Sequence, residues 1–281
     1  MKLALGSART LLRLTAPLLF GVTVATLPAE AATLASSQGD AVFGNFSHTP
    51  IDLDTFTKTD VDLQLISGEV RGRARARATA LPTVGGNVSS SRTVGSGRNY
   101  TGTASSTAGV TNTFSVGAQE TFAFDFLLRL RLKVALDQPQ RETASAKGRI
   151  HFQILDHLTG THIDSFKLFG QLGLPGNPSP IQFQSNPYVD FALLRQRLRT
   201  RGNQTVALTT VAGRYSRTFD TPIELRLTET KHNQANVRAI PEPSAFAGLL
   251  VLAALLYLRS ISRKTTAVNA AMPSVAPPAD E

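Results

Sequence analysis

TFAFDFLLRLRLKVAL, residues 121–136, places Phe122, Phe124, Phe126, Leu128, Leu130, Leu132, Val134 and Leu136 at every second position. Side chains of a β-strand point alternately to its two sides, so an apolar period of two over so long a run predicts a strand with one buried face. Asp125, Arg129, Arg131 and Lys133 fall on the other side, which predicts a sheet with one face in water. The same alternation recurs in Ile150, Phe152, Ile154 and in Ile223, Leu225, Leu227. Shorter β-rich runs predict further strands at residues 61–65, 165–169 and 206–210. Leu158-Thr159-Gly160-Thr161 reads as the turn of a hairpin. Residues 84–97 and 173–180 are rich in glycine, serine or proline and read as loops. Residues 189–201 fit a helix or a strand equally well, and no segment of the middle carries a sustained helical stripe or an internal repeat. The expectation is an all-β domain over residues 32–240, an antiparallel β-sandwich of jelly-roll-like type.

Composition is consistent with a packed domain. Hydrophobic residues make up 42 % of the 281 and charged residues 17 %, too apolar for a disordered chain. With no cysteine, disulfides, thiolate zinc sites and a cysteine nucleophile are excluded. A net charge of +9 would suggest nucleic acid in a cytoplasmic protein, but the ends of the chain argue for export, and no nucleic-acid partner is expected.

Lys2, Arg9 and Arg13 precede an apolar stretch over residues 14–27, followed by Ala29-Glu30-Ala31-Ala32. This is the order of a secretory signal peptide, residues 1–31, with Ala29 and Ala31 forming an Ala-x-Ala cleavage site. Near the other end, Pro241-Glu242-Pro243 stands before an apolar run at residues 245–258 and a basic cluster of Arg259, Arg263 and Lys264. The run would span about 21 Å as a helix, short for a hydrocarbon core of about 30 Å. It is expected to be a single transmembrane helix with its basic flank held on the cytoplasmic face and the bulk of the chain outside.

The tripartite segment 241–264 resembles the PEP-CTERM sorting signal of Gram-negative and cyanobacterial surface proteins. The resemblance implies an exosortase-type processing enzyme that cuts near Pro241-Glu242-Pro243, a transient membrane anchor, and release to the cell surface or an exopolysaccharide matrix. Residues 265–281 depart from that pattern as a Pro- and Ala-rich tail, expected to be disordered. The central region also looks like uncharacterised cyanobacterial proteins of this class.

Chemistry is sparsely signalled. Asp156, His157, His162 and Asp164 lie close in sequence and could bind zinc or iron, but at the base of a hairpin polar residues are expected anyway. No Gly-x-Ser-x-Gly, Ser-x-x-Lys, Walker A or His-Glu-x-x-His pattern is present. No catalytic residue, metal or cofactor is assigned; the expectation is a non-enzymatic envelope or matrix protein, with a hydrolase of unrecognised site as the third reading. The second is a polysaccharide-binding module. Arg71, Arg73, Arg75 and Arg77 alternate with small residues, and Arg195, Arg197, Arg199 and Arg201 repeat the spacing. On a strand each set would project guanidinium groups about 6.7 Å apart to one side, a strip suited to an acidic exopolysaccharide. The competing account has the strips facing water, or pairing across strands with Asp52, Asp54, Asp60, Asp62, Glu224 and Glu229.

Overall fold

The computed structural model describes residues 32–176 and 178–239, so the signal-peptide segment with Ala29 and Ala31, the Pro241-Glu242-Pro243 motif, the apolar run, Arg259, Arg263, Lys264 and the tail lie outside the described residues. Two compact units divide the chain at Ile240 and Pro241. The first is all-β and antiparallel. Its strands are β1 (Thr33–Gly44), β2 (Asp52–Leu81), β3 (Val84–Val116), β4 (Glu120–Ala135), β5 (Glu142–Asp156), β6 (His162–Leu174), β7 (Gln182–Gln184), β8 (Val189–Arg201), β9 (Gln204–Phe219) and β10 (Ile223–Ala239).

They form one curled sheet in the order β7-β6-β5-β10-β3-β1-β4-β9-β8, with β2 paired to the other edge of β3. The curl originates in the β2–β3 hairpin. Residues 84–95 of β3 pair with β1, whereas residues 101–116 pair with β10, so one strand serves two arms of the sheet. Between them Gly68 and Gly97 face each other in the ladder with φ of +123° and +107°, next to a register shift at Ser67. A Cβ on Gly97 would lie 2.5 Å from the Gly68 Cα, and one on Gly68 would lie 2.2 Å from the Ser96 carbonyl oxygen, so only glycine lets the backbones meet at this corner. The expected loop at residues 84–97 is therefore a correction: it is strand. Its Gly and Ser residues fit there because small side chains line the inside of the bend.

The inner faces of the arms pack together, β1 and β4 of the first against β5, β6 and β10 of the second. The expected strand at residues 121–136 is β4, and Phe122, Phe124, Phe126, Leu128, Leu130 and Leu132 are all buried. Phe124 and Phe126 meet Phe152 and Phe166 of the opposite arm, with ring centroids 5.9 and 4.8 Å apart for Phe124–Phe152 and Phe126–Phe166. Asp125 departs from expectation: it is buried, because Asn45 donates to it at 2.9 Å and Arg214 at 3.1 Å. The hairpin turn at residues 158–161 joins β5 to β6, and residues 189–201 are strand.

The interior is polar at one end. Where β3 and β1 contribute Ser37, Ser89, Ser91 and Thr93, β10 contributes Glu229, Lys231 and Asn233, all buried. Asn233 donates to Ser89 Oγ at 2.6 Å and to the Ser89 carbonyl at 3.1 Å, and accepts from Ser37 at 2.5 Å. Lys231 donates to the Asn87 carbonyl at 2.5 Å, while the Asn87 amide donates to Glu229. Burial pushes the Glu229 carboxyl up to about 7 and the Lys231 ammonium down to about 8.

Candidate polyanion-binding face

Alternation decides what the first arm shows to solvent. In the second half of β2 the inward positions are Gly72, Ala74, Ala76 and Ala78, half-buried, so Arg71, Arg73, Arg75 and Arg77 take the exposed outer face. In β8, a register shift between Leu193 and Arg195 resets the alternation. Beyond it Gln196, Leu198 and Thr200 lie opposite the buried Thr209, Ala207 and Thr205 of β9. Arg195, Arg197, Arg199 and Arg201 consequently point outward, to the same face of the same arm as the β2 arginines.

The two strips occupy opposite edges of this face, and the ladder registers show what joins them. One row runs Arg73–Arg92–Ser36–Lys133–Val206–Arg199. The next runs Arg75–Ser90–Gln38–Arg131–Leu208–Arg197, and a third Arg77–Val88–Asp40–Arg129–Thr210–Arg195. At about 4.8 Å between strands and 3.3 Å per residue, the basic face measures roughly 24 Å across and 20 Å along the strands. Within these rows Asp40 is the lone acid, and none of their cations has an ion pair among the described residues; Arg71, just beyond the first row, pairs with Glu69 of its own strand. Lys133 registers the crowding: burial lowers its pKa, and the charges of Arg131 and Arg92 lower it further.

Cross-strand neutralisation, the competing expectation, is not what the fold produces. Asp52, Asp54, Asp60 and Asp62 belong to the first half of β2, beyond the corner, where they register with Thr113, Thr111, Ser105 and Thr103 on the second arm. Glu229 is in the interior, and Glu224 is on β10 of that second arm. Sequence reasoning placed Arg129, Arg131 and Lys133 on a solvent face but did not connect them to the strips, and it missed Arg92, which lay in the expected loop. Had residues 84–94 been read as strand, their alternation with Ser89, Ser91 and Thr93 would have put Arg92 outside.

The four-residue Asp/His group does not converge on a metal. Asp156 Oδ1 accepts from the backbone N–H of Leu158 at 2.9 Å and of Thr159 at 3.0 Å, which shapes the turn and holds its pKa below the ordinary carboxylate value. Asp164 is buried and accepts from Tyr215 at 2.6 Å and Arg217 at 2.7 Å; burial first, then this carboxylate, push the Tyr215 hydroxyl pKa upward. His157 and His162 are exposed. Among the described residues no three His, Cys, Asp or Glu side chains are grouped to hold a metal ion, and no helix is long and apolar enough to cross a membrane. A shallow cleft of about 350 Å³ on the second arm is lined by Lys147, Arg149, Phe169, Ser179, Pro180 and neighbouring glycines and glutamines, without a carboxylate or histidine.

Comparison of the chain with protein-family models, with curated proteins and with solved structures finds no match in any of the three, so its function is argued from the geometry of this face.

Proposed function

We propose that the protein is an exported, non-enzymatic component of the cell envelope or extracellular matrix that holds acidic polysaccharide on the outer face of its first arm. One observation carries the binding half of this reading: the two arginine strips share a face and are bridged by Arg92, Arg129, Arg131 and Lys133, with Asp40 alone opposing them in the rows. Guanidinium groups fork onto carboxylates and sulfates, and a rigid sheet presents them without ordering flexible loops first. The export half rests on the signal-peptide pattern and the PEP-CTERM-like segment 241–264, which supply a secretion route, an exosortase-type processing partner and a transient membrane anchor. The two arms, packed inner face to inner face, favour assigning the domain to the β-sandwiches, with jelly-roll-like topology as the working assignment.

The test is retention of the full-length chain on immobilised polygalacturonate and dextran sulfate as salt is raised. Exposed charges are screened over about 8 Å at physiological ionic strength, so retention should fall steeply between low and physiological salt. Replacing Arg195, Arg197, Arg199 and Arg201 by Gln should abolish most of that retention while moving the melting temperature by no more than about 2 °C, since exposed charges contribute little to folding. Retention that is indifferent to salt, or unchanged in the variant, overturns the polyanion assignment.

A further inference from the structure

β2 forms one edge of both arms, with β8 and β7 at the opposite edges. It pairs with β3 and, among the described residues, with no other strand, leaving a 30-residue edge whose outward N–H and C=O groups have no ladder. Long open edges are templates for another strand, and proteins normally shorten or cover them. Here the edge also exposes apolar side chains on its first half: Phe56 at 43 %, Val61 at 41 %, Leu63 at 40 % and Leu65 at 54 %. Its charge is divided at the corner. The half before Gly68 carries Asp52, Asp54, Asp60 and Asp62, and the half after it carries Arg71, Arg73, Arg75 and Arg77, each set on the outer face of its arm.

We infer that this edge pairs with the same edge of a second copy, the acidic half of one β2 lying antiparallel to the basic half of the other. Because β2 turns from one arm into the other at Ser67 and Gly68, a two-fold axis along the strands and through that corner lays each first half against the partner copy's second half. With Ser67 opposite Gly68 across the axis, Asp62 meets Arg73 and Asp60 meets Arg75, and the symmetry repeats both pairs. Both residues of each pair occupy outer faces, so they have equivalent orientations to the edge, as an antiparallel ladder requires. On the inner side Val61, Leu63 and Leu65 then stand across from Ala74, Gly72 and Val70, a large residue against a smaller one each time. Lys58 falls opposite Arg77, the one like-charge pair in this register, with Asp60 diagonal to Arg77. Like halves cannot pair, because Asp would oppose Asp and Arg would oppose Arg. The charge division therefore selects one arrangement, closes it as a dimer and forbids an open chain of edges.

The seam takes Arg73 and Arg75 out of the first strip and leaves Arg92, Arg129, Arg131, Lys133 and the β8 arginines open, so it does not rest on the polysaccharide reading and is tested without polyanion. The experiment is sedimentation velocity on the full-length chain and two variants, Asp60→Lys/Asp62→Lys and Arg73→Asp/Arg75→Asp. Each variant makes both halves of its own edge alike in sign at the seam. Alone, each should show a dissociation constant at least tenfold weaker than the unaltered chain, with an unchanged melting temperature when all are compared at concentrations where they are monomeric. Mixed in equal amounts, they should regain a dimer containing one of each, because the positive edge now faces the negative one. A monomeric unaltered chain at about 100 µM in low salt overturns the inference. So does a dimer that survives both variants, which would place association elsewhere in the chain, and so does a mixture that stays monomeric.

Discussion

Glu229 and Lys231 are the most informative place to perturb the fold: both are fully buried, no direct hydrogen bond joins them, and they are linked by charge and through Asn87, with Lys231 also donating to the Gly39 carbonyl. Lys231→Met removes the ammonium and leaves a carboxylate without a counter-charge; Glu229→Gln does the reverse. Breaking a buried pair from one side typically costs about 3–5 kcal/mol, whereas replacing both partners by uncharged side chains is neutral or stabilises by about 1–4 kcal/mol. Glu229 Oε1 and Asn87 Oδ1 already lack hydrogen-bond partners among the described residues, so the pair as it stands is not fully satisfied. The Glu229→Gln/Lys231→Met double variant should therefore be at least as stable as the unaltered chain, although each single variant melts roughly 6–20 °C lower at about 2–4 °C per kcal/mol. The pH dependence has a definite sign. Glu229 titrates near 7 when folded, above its ordinary 4.5, so the stability it contributes is complete below about pH 4.5 and is lost as pH rises through 7. Lys231 titrates near 8 when folded, below its ordinary 10.5, so its contribution is complete above about pH 10.5 and is lost as pH falls through 8. The pair weighs most on the fold between pH 7 and 8, and the advantage of the double variant should peak there and shrink toward pH 5. Urea denaturation of the four proteins at pH 5, 7.5 and 10 measures this cycle. Single variants that each cost under about 1 kcal/mol at every pH would refute the reasoning, since they would mean that water reaches the pair.

Phe124 is completely buried among Phe43, Phe122, Phe152, Phe166 and Tyr215, and Phe124→Ala should cost about 3–5 kcal/mol by thermal or urea denaturation, against under about 1 kcal/mol for Phe56→Ala on the exposed edge. Gly97→Ala should destabilise by about 1–3 kcal/mol, because φ is +107° and the added carbon meets the Gly68 backbone, whereas Gly173→Ala, with open space around it, should be neutral or slightly stabilising.

How much was legible follows from which signal each element carried. β4 announced itself because eight large apolar residues alternate without interruption, and burial of that face against the opposite arm needed nothing further. Residues 84–97 were unreadable by the same rule. Their inward positions are Gly85, Asn87, Ser89, Ser91, Thr93 and Gly95, which look like a loop; in fact Asn87, Ser89, Ser91 and Thr93 meet β10 in the polar end of the core, and Gly85 and Gly95 leave room for the rings of Phe43 and Tyr100. What makes them strand is pairing on both edges, with β2 through the adjacent hairpin and with the distant β1, and the hydrogen bonds from Ser91 and Thr93 to the carbonyls of Asn233 and Ala235, partners 142 residues away. The arginine strips were visible by spacing. Their shared face was not, since it depends on a register shift at Leu193 in β8 and on a corner at Gly68 that separates the arginines from the acids of their own strand.

That corner ties charge to topology. A straight β2 would carry Asp52 to Asp62 and Arg71 to Arg77 along one edge, but on opposite faces, since the acids take even positions and the arginines odd ones. The register shift at Ser67 removes the difference in parity, and the positive φ of Gly68 and Gly97 turns the strand, so both sets face outward on different arms. The basic face is thus kept free of the acids nearest to it in sequence. Its central strands are fixed from behind: Lys231 donates to the carbonyls of Gly39 and Asn87, whose neighbours Asp40 and Val88 stand side by side in the third row of that face. Loss of the Lys231 contact should therefore reach the basic face through β1 and β3 before it reaches the arginines of β8, which hang on β9 and, among the described residues, share no hydrogen bond with the polar interior.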